Sequence, residues 1–299
     1  MTAAVSVPAL AKINLFLRVL SRTDDGYHDL ETLFCLISLA DALHAERREG
    51  HGVTVEVRGP DVGEADQNLA VRAGAMVLEA TGNRFAVHLT LTKRIPVRAG
   101  LGGGSSDAAA ALHAVNHLAG NAVPRHELLQ FAAHLGSDVP FFLSGAPLAL
   151  GWGRGERMLR LPPLPSSPAL LLTPPIPIGT ADAYRWVDAT RESAGRRGAV
   201  ALDLDSLSRW GDIGRMAGND FESPVFNRYG EIRAAFEMLV TTRPLVCRMS
   251  GSGSTLFAIY RSPRDRDDAI MMLGRKHGTL TPVETVATSA PGPVAEPGS

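Results

Sequence analysis

Residues 95–111 read IPVRAGLGGGSSDAAAA, and no other stretch of the chain so narrows what it can fold into. An alternation of Phe85, Val87, Leu89 and Leu91 predicts a strand leading into it. Serine, aspartate and a run of alanines predict a helix over 105–119, stopped by Gly120. Between them stand Gly100, Gly102, Gly103 and Gly104. Glycine adopts positive φ and lets a backbone approach a ligand closely. Successive free N–H groups at the positive end of a helix form an anion site, and phosphate is its usual guest. A turn closed by a serine cap is the plainer reading, but four glycines exceed what a turn needs. A phosphate cradle is therefore expected from Pro96, Gly100, Leu101, Gly102, Gly103 and Gly104, with Ser105 and Ser106 adding hydroxyls. It is not a Walker A loop, because no Gly-Lys-[Ser/Thr] follows, and Ser105 breaks a dinucleotide fingerprint.

The rest of the chain alternates between the two periodicities. Ile13, Leu15, Leu17 and Val19 mark one face of a strand, with Lys12, Asn14 and Arg18 on the other; Val53, Val55 and Val57 mark a second strand. Helices are expected over 124–135, 231–242 and 263–276. Seven prolines within 161–178 exclude helix or central strand from most of that segment and place a domain boundary there. The reading is an α+β chain of two domains, 1–160 and 161–284, with a Pro/Gly/Ser/Ala tail over 285–299 expected to be disordered.

Several side chains carry candidate chemistry. Asp138, in LGSDVPFF, reads equally as a helix N-cap and as a carboxylate accepting the proton of an attacking hydroxyl. Lys12 is either solvated or set to stabilise phosphoryl charge and hold Asp138 ionised; Asn14 shares its face. Tyr27 offers a stacking surface and His28 a donor and an acceptor, though loop packing explains both as well. A second small-residue loop, with Gly251, Ser252 and Gly253, lies between strand-like flanks; it either faces a phosphate, approaches the first loop, or simply turns a hairpin.

Composition removes other classes. Thirty Lys+Arg against 31 Asp+Glu give a net charge of −1, which argues against nucleic acid or an anionic membrane as partner. The two cysteines, Cys35 and Cys247, fit neither a disulfide framework nor metal-ligand spacing. No apolar run spans a bilayer and no signal peptide opens the chain, so a cytoplasmic location is expected.

Taken in order, AKINLFLRVLSRTDDGYHDLETLF, KRIPVRAGLGGGSSDAAAAL, LGSDVPFF, NDFESPVF and MSGSGSTLF resemble the GHMP kinase superfamily. The first block points to its branch with a cytidyl substrate. The resemblance implies the superfamily's two-domain α+β fold, with the active site in the interdomain cleft. It implies phosphorylation by ATP of the 2-hydroxyl of 4-diphosphocytidyl-2-C-methyl-D-erythritol, in non-mevalonate isoprenoid (isopentenyl diphosphate) biosynthesis. Residues 100–106 would wrap the ATP phosphates, with Mg²⁺ bridging them and no dedicated protein site for it. Asp138 would be the catalytic base and Lys12 its partner. Asn14, Tyr27 and His28 would bind substrate, with Tyr184 the second aromatic on cytosine; Asn68 and Lys93 resemble residues near the nucleotide's base and ribose. Partners would be this small molecule and, at most, a second copy of the chain in a weak homodimer. Two rivals stay open: a related kinase of another alcohol or phosphate, and a nucleotide-binding regulator without catalysis. Lys12 and Asp138 together argue against the second.

Overall fold

The computed structural model describes residues 3–23, 26, 28–194, 203–274 and 276–295. In chain order the first half contains β1 (Ala4–Arg22), β2 (His28–Arg48), β3 (Gly52–Arg58), α1 (Leu69–Ala80), β4 (Ala86–Thr92), α2 (Gly103–Leu118), α3 (Arg125–Leu135), α4 (Val139–Ser144), β5 (Leu148–Gly153) and β6 (Arg157–Arg160). The second contains β7 (Pro168–Thr173), α5 (Thr180–Ala194), α6 (Trp210–Met216), α7 (Glu222–Arg228), α8 (Gly230–Thr241), β8 (Val246–Met249), β9 (Leu256–Ile259), α9 (Pro263–Leu273) and β10 (Thr279–Glu284), followed by β11 (Val294–Ala295).

Two sheets carry the architecture. The larger runs β11-β1-β2-β4-β3, and β5 and β6 extend it from the first part of β2. β1 and β2 pair antiparallel along nearly their whole length. β2 then divides its other edge, pairing with β5 over 30–35 and with β4 over 42–48. Among the described strands of this sheet, β3 and β4 alone pair in parallel, joined by the α1 crossover. The smaller sheet, β10-β7-β9-β8, is antiparallel throughout.

α2 lies in the middle of the first half. Its alanines at 108–111 and 114 are all buried, and short side chains let it sit close to the sheet and to α1. Gly74 of α1 permits that approach: a Cβ there would lie 3.1 Å from Val53 and 3.3 Å from Val115. The opposite face of β1 and β2 (Ile13, Leu15, Leu33, Cys35 and Ile37) packs against Ala169, Leu171, Val246, Phe257 and Ile259 of the second sheet. β1 is therefore covered on both faces.

Most of the proline-rich segment is neither helix nor strand, and β7 fills its longest gap between prolines as an interior strand of the smaller sheet; Pro168 is its first residue, where no ladder donor is lost. One expectation changes. The segment over 285–299 was expected to be disordered, yet its described part, 285–295, returns across the first half. Val286 N–H bonds the Leu36 carbonyl and Ala290 N–H the Gly145 carbonyl, and β11 pairs with β1 at Val5 and Ser6. The open edge of β1 supplies the unpaired backbone groups that hold it. Among the described residues no helix is long and apolar enough to cross a membrane.

Candidate active site

The four glycines of the first loop serve different ends. Arg98, Gly100 and Gly102 have φ of 55°, 79° and 73°, and Gly102 caps α2 in the left-handed conformation. A Cβ on Gly100 would lie 2.0 Å from the Ser250 carbonyl, so this glycine admits the second loop. One on Gly102 would meet Phe142 at 2.8 Å and Lys12 at 3.1 Å, and one on Gly103 would meet Ile95 at 3.1 Å. Only Gly104 faces open space, with Leu69 at 4.0 Å. The first bond of α2 runs from Ser106 N–H to the Gly102 carbonyl, so the N–H groups of Gly103, Gly104 and Ser105 precede the helical ladder and are available to an anion. The Ser106 hydroxyl is buried and donates to the Leu10 carbonyl, tying the loop to β1; Ser105 is half-buried beside it. Leu101 is buried, its carbonyl accepting from Lys12 N–H, and Pro96 is half-buried where the loop begins.

A buried charge cluster lies beneath the loop. Lys93 Nζ donates to Asp41 and, at 2.6 Å, to Asp107 of α2. Asp41 also accepts from the Arg94 and Ile95 N–H groups, fixing the strand-to-loop corner. Two carboxylates share one ammonium. Burial above all, with the Asp41 charge adding, pushes the Asp107 carboxyl up to about 7, and its Oδ1 has no partner. Lys93 is thus spent under the loop rather than turned toward a ribose. Asn68 Oδ1 accepts from Ala70 N–H as the N-cap of α1.

The second loop braces the first. Ser250 Oγ donates to the Gly100 carbonyl and Thr255 N–H to the Ala99 carbonyl. Asn219, just before α7, holds it from behind through the Met249 and Gly251 carbonyls, at 2.7 and 2.8 Å. A Cβ on Gly251 would come within 3.1 Å of the Gly100 carbonyl and 3.4 Å of Lys12 Nζ; Ser252 meets Thr180 of α5, and Gly253 folds over Met249.

Lys12 and Asp138 come together at this junction, with Lys12 Nζ 3.5 Å from Asp138 Oδ2. Asp138 occupies the N-cap position of α4, yet its side chain makes no capping bond. The lysine side chain is 5% exposed and the aspartate 31%, so the ammonium is fixed inside while the carboxylate reaches the cleft. Asn14 accepts from Lys12 at 2.7 Å and donates to Thr32 at 2.8 Å.

His28 stacks on Tyr184, with centroids 4.8 Å apart and planes 18° from parallel. Asp188 holds the imidazole at 2.7 Å, and Phe221 meets Tyr184 edge-on. Burial first, then the charge of Asp138, pushes the Tyr184 phenol up to about 12, which places this ring within electrostatic reach of the carboxylate. Tyr27 lies outside the described residues. Sequence reasoning missed Thr32, Asp41, Asp107, Asp188 and Asn219. Asp107 left a trace as a lone charge in an alanine run, and Asp41 as a polar residue inside the apolar run LISLADAL. Among the described residues no group of three His, Cys, Asp or Glu side chains could hold a metal ion.

Residues 68–146 match the family GHMP kinases N terminal domain, and residues 199–279 match GHMP kinases C terminal. A 4-diphosphocytidyl-2-C-methyl-D-erythritol kinase of Solibacter usitatus is 42% identical over 89% of this chain and 84% of its own length. One of Moorella thermoacetica is 41% identical over 85% and 90%. A crystal structure of 4-(cytidine 5'-diphospho)-2C-methyl-D-erythritol kinase superposes with a TM-score of 0.77 at 36% identity, covering 94% of this chain and 98% of that one. Homoserine kinase from Cytophaga hutchinsonii shares the fold, with a TM-score of 0.71 at 18% identity. With its two-sheet fold and its ordered motifs, the chain belongs to the 4-diphosphocytidyl-2-C-methyl-D-erythritol kinase family of the GHMP kinases.

Proposed function

We propose that this chain transfers the γ-phosphoryl group of ATP to the 2-hydroxyl of 4-diphosphocytidyl-2-C-methyl-D-erythritol. The observation that carries the reading is the Lys12–Asp138 pair at 3.5 Å, set against the glycine loop in a chain 42% identical to a kinase of that name. The acceptor hydroxyl is tertiary and crowded, so alignment and charge stabilisation supply most of the acceleration. Asp138 takes the hydroxyl proton as the new O–P bond forms and the bond from phosphorus to the ADP oxygen breaks. Lys12 offsets the charge that grows on the phosphoryl oxygens. The N–H groups of Gly103, Gly104 and Ser105 hold the nucleotide phosphates. Mg²⁺ would travel with those phosphates, and its part would be to neutralise phosphate charge. The His28–Tyr184 pair is closed, since two rings 4.8 Å apart leave no gap for a third. Cytosine therefore stacks on an outer face of that pair, where its binding energy goes into positioning the acceptor.

The test is ADP release with ATP·Mg²⁺ and the cytidyl alcohol, run beside mevalonate and homoserine and beside Asp138→Asn. Turnover with the cytidyl alcohol alone, reduced on the order of a thousandfold in the variant, is expected for a lost general base that also orients the nucleophile. Turnover with another alcohol would overturn the substrate, and an unimpaired variant would overturn the base.

A further inference from the structure

Three hydrogen bonds lead away from Lys12, and a single carbonyl sets the direction of all of them. Thr32 Oγ1 is 2.8 Å from the Phe16 carbonyl. A carbonyl only accepts, so the one hydroxyl proton of Thr32 is committed there. A bulge between Asn14 and Phe16 in the β1–β2 ladder brings Phe16 opposite Leu33, beside Thr32. What Thr32 presents to Asn14, 2.8 Å away, is then a lone pair, and only the amide NH₂ answers it. That turns Asn14 Oδ1 toward Lys12 Nζ at 2.7 Å. The opposite amide orientation would set an NH₂ against an ammonium. Lys12, Asn14 and Thr32 are 4%, 1% and 1% exposed, so the polarity of this chain is set by protein groups.

We infer that Thr32 is a positioning residue for phosphoryl transfer: its hydroxyl fixes the polarity of the Asn14 amide and so holds the Lys12 ammonium beside Asp138. This rests on the catalytic pair proposed above. Thr32 touches no reacting atom. It acts by keeping an acceptor, rather than a donor, behind the lysine. Without the hydroxyl, the buried Asn14 NH₂ loses its acceptor and the amide is anchored by the ammonium alone, so the acceptor that opposes the pull of Asp138 and the phosphates is no longer held in place.

Valine has the shape of threonine without the hydroxyl, and serine keeps the hydroxyl without the methyl. Thr32→Val is expected to lower kcat about tenfold to a hundredfold, the loss of a hydrogen bond that orders a charged group, with KM for ATP within about twofold. Thr32→Ser is expected to retain wild-type kcat within about threefold. A double-mutant cycle separates polarity from packing. Both oxygens of a carboxylate accept, so in an Asn14→Asp background there is no amide polarity to set and Thr32→Val should cost little further. Thr32→Ala replaces the valine variant should the latter not fold. Equal losses in the two backgrounds, a serine variant as poor as valine, or an unimpaired Thr32→Val beside an inactive Asp138→Asn would each overturn the role of Thr32. An Asp138→Asn enzyme that turns over normally would instead remove the catalytic pair, and this role with it.

Discussion

At the residue scale, the glycine loop shows how one residue type meets unrelated demands within five positions. Gly100 is glycine because another backbone occupies the space of its Cβ, whereas Gly104 is bounded on that side only by Leu69 at 4.0 Å. The two should therefore fail differently. Gly100→Ala forces a methyl onto the Ser250 carbonyl at a φ of 79°, so the two loops must part. It is expected to cost roughly 1–3 kcal/mol of stability, read as a lower midpoint in urea, together with activity. Gly104→Val places its side chain over the N–H groups that precede the helical ladder, where no protein atom resists it. Its unfolding midpoint should stay within about 0.5 kcal/mol of wild type, while ATP affinity measured by calorimetry falls at least tenfold. If the valine variant bound ATP normally, these N–H groups would not be the phosphate cradle. A hydrophobic residue at 103 would instead collide with Ile95 and Lys93 inside the molecule, so it cannot make the same distinction.

At the scale of elements, the loop is held by α2 and by the strand end before it, and the Lys93–Asp41–Asp107 cluster joins the two. Asp107 carries a pKa consequence with a definite sign. Its carboxyl rises from 3.8 to about 7 on folding, chiefly through burial, so the folded protein keeps a proton that the unfolded chain releases above pH 4. The stability from that proton is complete below about pH 4 and is lost as pH rises through about 7. Asp107→Asn keeps a hydrogen-bonding group against Lys93 and leaves Asp41 and Lys93 as a neutral pair. Relative to wild type it should gain up to roughly 4 kcal/mol above pH 8 and almost nothing near pH 4, a difference that urea titrations at the two pH values resolve. An offset independent of pH would show that Asp107 is ionised throughout. The cluster also marks what a sequence can disclose. The elements around the loop were legible because Val87 to Leu91 alternate and residues 105–118 are helix formers closed by glycine. β2 gave no such signal, since LFCLI is covered on both faces and a strand buried on both sides does not alternate. α5, whose Tyr184 was named only by resemblance, has a polar exposed flank and no start signal before Thr180. Lys12, Asn14 and Asp138 could be named from strand face and motif. Thr32, Asp188 and Asn219 could not, because they act through partners 18, 160 and 32 residues away.

At the scale of the whole molecule, the site exists because two sheets share one core. β1 presents Lys12 and Asn14 toward α4 and the glycine loop, while Ile13 and Leu15, on its other face, pack with Val246, Phe257 and Ile259 of the smaller sheet. The strand carrying Lys12 is thus the floor of one half and the wall of the other. β8 and β9 in turn carry the second loop onto Gly100. This arrangement predicts cooperativity. Two domains joined by a polar hinge would melt separately, but halves that bury each other's apolar side chains lose that cover together. Unfolding of the full chain, followed by calorimetry, should be one transition. Phe257→Ala removes a fully buried ring at the shared core and should cost about 3–5 kcal/mol, moving that whole transition down by several degrees. ATP bound between the halves should move the same transition upward with nucleotide concentration, because ligand bound only to the folded state stabilises everything that unfolds with it. Two resolved transitions, with Phe257→Ala shifting one and ATP the other, would mean that the cleft is a hinge between independent bodies. The Lys12–Asp138 pair would then depend on the first half alone, and bracing by the second loop would contribute nothing to its position.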